Sequence, residues 1–123
     1  MKKTELAYIA GLFDGEGCLV WTTTARVHIT SCWPYHLREI QNLFGFGKIR
    51  MFKNEAPRRN AYRWEVCGPD ARKFVKKIRP WLREKAYQAD IILTAHKFPH
   101  GSAARESMLK NLKQAKKVDY GTA

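Results

Sequence analysis

The N-terminal segment alternates apolar and polar positions with a helical period. Leu6, Ile9, Ala10 and Phe13 fall at i, i+3, i+4 and i+7 and so share one face of a predicted helix. Ala7, Gly11 and Asp14 lie on another face, where Ala7 and Gly11 are small enough for a second helix to approach. Gly15 and Gly17 are expected to stop the helix through the backbone angles that glycine reaches. Asp14 and Glu16 thus sit at the negative end of a helix dipole, where Lys or Arg is favoured. Acids that break a local rule at one point mark that point as a candidate site.

Beyond the helix the period becomes two. Leu19 to Trp21 with Thr22 to Thr24 read as a strand, the chain turns about Ala25, and Arg26 to Cys32 alternates. Val27 and Ile29 point one way, Arg26, His28 and Thr30 the other. Pro34 opens a second helix carrying Leu37, Ile40, Gln41 and Phe44, which Gly45-Phe46-Gly47 ends. A second hairpin pairs Lys48–Phe52 with a return strand from about Asn60 to Cys67. Tyr62, Trp64 and Val66 share one face of that strand, and Arg63 and Glu65 the other. Pro69 or Asp70 begins a third helix, with Phe74, Val75 and Ile78 as its apolar side, that Pro80 ends. A fourth is predicted from Trp81 and Leu82 towards Phe98, and Ser102 caps a last, basic helix through about Lys117. The order α-β-β-α-β-β-α-α-α describes one mixed α+β domain: two hairpins in one antiparallel sheet, helices on one face.

Charge changes this picture most. The 123 residues carry 23 Lys and Arg against 11 Asp and Glu, a net charge of +12. That excess, with basic residues alternating along strands, points to a polyanion, nucleic acid first. The alternative, an anionic membrane surface, fits poorly because the cations do not line one amphipathic helix. No apolar run approaches the roughly 20 residues that span a bilayer. The charged start Met1-Lys2-Lys3-Thr4-Glu5 does not resemble a secretory signal. Cys18, Cys32 and Cys67 are scattered and odd in number, so they read as reduced, buried thiols of an intracellular protein. The expected setting is intracellular: the cytoplasm of a bacterium or phage-infected cell, or an organelle if organelle-encoded. Cys32 with His36 is an isolated pair, which argues against zinc.

The segment Ile9-Ala-Gly-Leu-Phe-Asp-Gly-Glu-Gly17, preceded by Tyr8 and followed by Cys18, resembles the signature of the LAGLIDADG homing endonucleases. The Gly45-Phe46-Gly47 pair and the Pro80-Trp81-Leu82…Lys85 segment resemble that family too, so the likeness runs from about Thr4 to Phe98. It implies the αββαββα homing-endonuclease fold, with a saddle-shaped antiparallel sheet, followed here by a basic helical extension over about 102–117. With one motif copy, it implies a homodimer joined through the motif helices, with Ala7, Ala10, Gly11 and Asp14 as interface candidates. Asp14 is equally readable as a helix-end residue. By the same resemblance Glu16 and the Gly15 carbonyl hold Mg²⁺, or a similar divalent cation such as Mn²⁺. Lys85 takes the place of a basic residue flanking the active site. Ser31 stands where the family often has Gln or another water-positioning group, a departure that bears on cleavage rate more than on binding.

Phosphodiester hydrolysis needs charge neutralisation, an activated water and a stabilised leaving oxygen, which hard oxygen ligands around a divalent cation supply. Two Glu16 carboxylates near a dimer axis would repel each other unless cations lay between them. A β-ribbon fits the major groove. Thr22, Arg26, His28 and Thr30 of the first hairpin and Lys48, Arg50, Phe52, Arg63 and Glu65 of the second are the expected DNA-facing residues. Lys53, Arg58, Arg59 and the tail lysines are expected on phosphates. The short first hairpin predicts few base contacts and a short or degenerate target. The expected function is a Mg²⁺-dependent, site-specific double-strand DNA endonuclease, with no small-molecule cofactor and no membrane. By resemblance it leaves 3′ overhangs and serves intron or intein mobility. The alternative is a non-cleaving binder of the same fold, an RNA maturase or a DNA-binding regulator.

Overall fold

A computed structural model describes residues 1–55 and 59–116. Helix α1 spans Lys3–Glu16 and runs directly into strand β1, Gly17–Trp21. Strand β2, Ala25–Ser31, helix α2, Pro34–Phe44, and strands β3, Lys48–Phe52, and β4, Ala61–Cys67, follow. Helix α3, Gly68–Ile78, leads through a 3-10 turn at Arg79–Trp81 to α4, Ala86–Ala95, and α5, Ala103–Ala115. The four strands form one antiparallel sheet in the order β1-β2-β4-β3, with helices covering one side, the arrangement expected from the sequence.

The alternation along the strands decides what each sheet face does. Leu19, Ala25, Val27, Ile29, Trp64 and Val66 point beneath the helices and are buried. There they meet Leu6, Ile9, Ala10 and Phe13 of α1, Leu37 and Ile40 of α2, and Phe74, Val75 and Ile78 of α3. Each such side chain contributes roughly 1.5–3 kcal/mol on burial. Phe74 organises the centre, its ring 4.8 Å from Trp64, 4.9 Å from Phe44 and 5.5 Å from Phe13. The Trp64 indole N–H donates to the Phe46 carbonyl at 3.2 Å, and Gln41 Nε2 donates to the Gly47 carbonyl at 2.9 Å. Gly47 has φ 95°, and any side chain there would collide with the Trp64 indole. The glycine pair after α2 is therefore a packing requirement as well as a stop signal.

Four expectations are corrected. Thr22–Thr24 form the hairpin turn rather than extending β1, with the Thr22 N–H donating to the Thr24 carbonyl at 3.1 Å; Ala25 begins β2. Residues 82–85 form no helix, because the Asp14 carboxylate takes the N–H groups of Arg83 and Lys85 and fixes a turn before α4. The glycines at the end of α1 act differently from the expectation. Gly15 remains helical and Gly17 is extended, with φ −87°, so neither uses a left-handed backbone. Gly17 is needed for space, since a Cβ there would strike the Phe13 ring and its carbonyl oxygen. The thiols also differ: Cys32 and Cys67 are exposed and Cys18 is half-buried. Among the described residues no helix is long and apolar enough to cross a membrane.

Candidate active site and nucleic-acid interface

The end of α1 is where the unusual acids sit, and the structure separates their jobs. Asp14 is a staple within its own chain. Its carboxylate accepts the backbone N–H of Arg83 at 2.9 Å and of Lys85 at 3.0 Å, and its carbonyl accepts Lys85 Nζ at 2.6 Å. These bonds give Asp14 a helix-end role within its own chain. Lys85 thereby supplies from a distant segment the cation that the C-terminal end of α1 lacks. Gly15 and Glu16 have no such partner and stand exposed one step further along. Among the described residues no three His, Cys, Asp or Glu side chains gather in one chain to hold a metal.

Ala10 departs from its expected place. It is fully buried against its own chain's core and presents nothing to a neighbour. Ala7 is half-buried, and Gly11 is exposed with open space where a Cβ would project. Tyr8, 57% exposed, lies on the same uncovered side of α1. Ser31 lies on the helix-packed side of β2, continuing Val27 and Ile29. Its hydroxyl accepts the Trp33 N–H at 3.1 Å and lies 2.8 Å from His36 Nε2. It fastens the entry to α2, a structural job the sequence pattern did not disclose.

The open face of the sheet carries the expected cations in register. Arg26 opposes Cys67, His28 opposes Glu65, and Thr30 opposes Arg63 across β2 and β4. Lys48 opposes Glu65, Arg50 opposes Arg63, and Phe52 opposes Ala61 across β3 and β4. Two arginines directly opposite each other repel, and a polyanion relieves that repulsion. Several of these groups are held in place. Arg63 Nε donates to Thr30 Oγ1 at 3.2 Å and its guanidinium lies 5.0 Å from the Phe52 ring centre. Arg26 Nε donates to Thr22 Oγ1 at 3.1 Å, and Arg50 pairs with Glu65 at 3.6 Å. The exposed Arg50–Glu65 pair stabilises by no more than about 1 kcal/mol, so its geometry matters more than its energy. His28 Nδ1 is buried without a hydrogen-bond partner. Burial, then the Arg63 charge, lowers the His28 pKa below its ordinary value. Arg59 is exposed in the loop between β3 and β4, whereas Arg58 lies outside the described residues.

A motif helix feeding a strand, with a cationic antiparallel sheet beside its end, is also the arrangement of known proteins. The homing endonuclease I-CvuI, in complex with its target in the presence of calcium, superposes with a TM-score of 0.76 at 17% identity, over 95% of this chain and 85% of that one. This is the LAGLIDADG homing-endonuclease fold. The archaeal intron-encoded homing endonuclease I-Vdi141I, complexed with DNA, shares the fold at TM-score 0.72 and 17% identity, over 98% of this chain and 89% of that one. The LAGLIDADG meganuclease I-AabMI, bound to uncleaved DNA, does so at 0.65 and 20% identity, over 88% of this chain but 43% of that one. No protein-family model matches the sequence, and no characterised protein is detectably similar to it by sequence. The LAGLIDADG fold is thus retained here with little of its sequence beyond the motif.

Proposed function

We propose that the protein is a homodimeric, divalent-cation-dependent, site-specific DNA endonuclease. The observation that carries this is the exposed Glu16 carboxylate at the motif's end, next to the Lys85-bound turn of α1 and bordering the cationic sheet face. Its fold neighbours are homing endonucleases in complexes with DNA, which favours DNA as the ligand of that face.

The residues present suit a hard divalent cation shared between two copies. At the end of α1 one chain offers one uncommitted carboxylate, Glu16, and the neighbouring Gly15 carbonyl, and among the described residues no three acidic, His or Cys side chains gather into a site. A second copy doubles the set. The open Cβ direction at Gly11 and the exposed Tyr8 give the uncovered side of α1 room to receive the other motif helix. Glu16 and the Gly15 carbonyl would hold Mg²⁺, which would supply charge neutralisation and Lewis acidity at the phosphate. The chain's own contribution is placement. The Asp14 staple fixes the end of α1, Lys85 adds positive charge beside it, and the sheet face holds the duplex. On this reading the enzyme cuts both strands of a pseudo-palindromic site and leaves 3′ overhangs.

The test is cleavage of a plasmid library in Mg²⁺. Wild type linearises a subset of plasmids, and Glu16→Gln retains binding while losing cleavage by at least about 10²-fold. Equal cleavage by the two proteins rejects the site.

A further inference from the structure

Two lysines, not one, border the motif's end. Lys85 Nζ donates to the carbonyl of Asp14, two residues before Glu16. Lys116 Nζ, from the end of α5, donates to the Sγ of Cys18, two residues after it, at 3.8 Å. Both lysines line one open groove together with Gly17, Cys18, Glu84 and Tyr87. Cys18 opposes His28 in the β1–β2 register, so its side chain lies on the open face of the sheet. The contact therefore brings α5 round the β1 edge to the side where the duplex is proposed to lie.

Three features hold α5 there. Ser102 caps it by accepting the Arg105 N–H at 3.2 Å, Leu112 is buried in the common core, and the Arg105 guanidinium lies 4.7 Å from the Trp21 ring centre. A thiol is a weak acceptor and leaves the ammonium charge unneutralised. Glu84, the carboxylate in the groove, forms no ion pair with Lys116 among the described residues. A compact ammonium at Cys18, two residues past Glu16 in the chain, suits a phosphate whose negative charge is redistributed during cleavage.

We propose that Lys116 is a second catalytic cation, contacting the scissile-strand phosphate from α5 opposite Lys85. This rests on the endonuclease reading and extends it: the C-terminal helix becomes part of the active site rather than a packing appendage.

The experiment compares single-turnover cleavage of the cognate duplex in Mg²⁺ by wild type, Lys116→Met, Lys116→Arg and Cys18→Ala. Affinity is measured in a Glu16→Gln background, where the duplex stays intact, and stability by urea midpoint. Lys116→Met is expected to cleave about 10²-fold more slowly with affinity within about threefold and an unchanged midpoint. Lys116→Arg restores most of the rate, and Cys18→Ala, which keeps the ammonium but removes the acceptor it meets, slows cleavage less than Lys116→Met. Wild-type cleavage by Lys116→Met overturns the assignment and leaves the endonuclease reading intact. A rate loss matched by an equal loss of affinity or stability overturns it too, making Lys116 a binding or structural residue. Absence of cleavage by wild type rejects both.

Discussion

At the scale of single residues, Asp14 and Glu16 show how one motif combines two kinds of acid. Asp14 receives two backbone N–H groups from a turn about seventy residues away in sequence, so its charge is structural. Asp14→Ala leaves both donors unpaired and is expected to destabilise the fold by about 1–3 kcal/mol, read as a lowered urea midpoint. Glu16→Gln, at an exposed position, is expected to leave that midpoint unchanged. The sequence marked both acids through the same dipole argument, yet only the fold could divide them, since the partners of Asp14 lie in Arg83 and Lys85. Gly17 is similar. Its presence signals a helix stop, whereas the reason for it is the Phe13 ring. Gly17→Ala is expected to cost about 1–3 kcal/mol from overpacking in the same unfolding measurement. Ser31 was illegible as a structural residue, because the His36 and Trp33 groups that meet its hydroxyl are set by the entry angle of α2.

At the scale of elements, periodicity carried most of the fold. The alternation in Arg26–Thr30 and Tyr62–Val66 assigned both sheet faces, and the apolar spacing in α1, α2 and α3 found their buried sides. The elements misjudged were those whose ends depend on distant partners: the Thr22–Thr24 turn and the segment before α4. His28 gives the sheet a pH dependence of its own. Its pKa in the folded protein lies below the unfolded value of about 6.5, because burial and then Arg63 disfavour the cation. The unfolded chain therefore binds the proton first as pH falls. The stabilising contribution is complete above about pH 6.5 and is lost as pH drops through the lower folded pKa. Urea midpoints between pH 7.5 and 5 are expected to fall for wild type and to fall less for His28→Gln. The exposed Arg79–Asp90 pair, bidentate at 2.6 and 2.9 Å, acts in a lower window. Its hydrogen bond lowers the Asp90 pKa, so its small effect disappears only as pH falls below about 4.

For the molecule as a whole, the division of surfaces matters more than net charge. One sheet side is occupied by helices, leaving the other as a cationic plane bounded by loops. Lys53 is exposed at the start of the β3–β4 loop, where the proposed reading has it meet phosphate. Lys53→Ala should weaken binding to all duplexes alike and reduce the slope of log affinity against log salt by about 0.9 for each copy bound. A change confined to one target sequence would instead assign it to a base. Assembly is testable apart from DNA. Gly11→Leu fills space that is open in one chain, so sedimentation should show monomer while the fold persists; a persisting dimer would place the contact elsewhere.

The emptiness around Gly11 and Gly15 has a consequence for the protein's mutational history. A screen that rewards only folded, expressed chains should accept Ala at either position, and even favour it over a glycine within a helix, because a Cβ at either meets nothing in its own chain. A selection that rewards cleavage sees them at once. Variant libraries carried through both filters should therefore diverge most sharply at residues 11 and 15. If the proposed dimer forms through this face, drift under the first filter alone would erase it long before it eroded the domain.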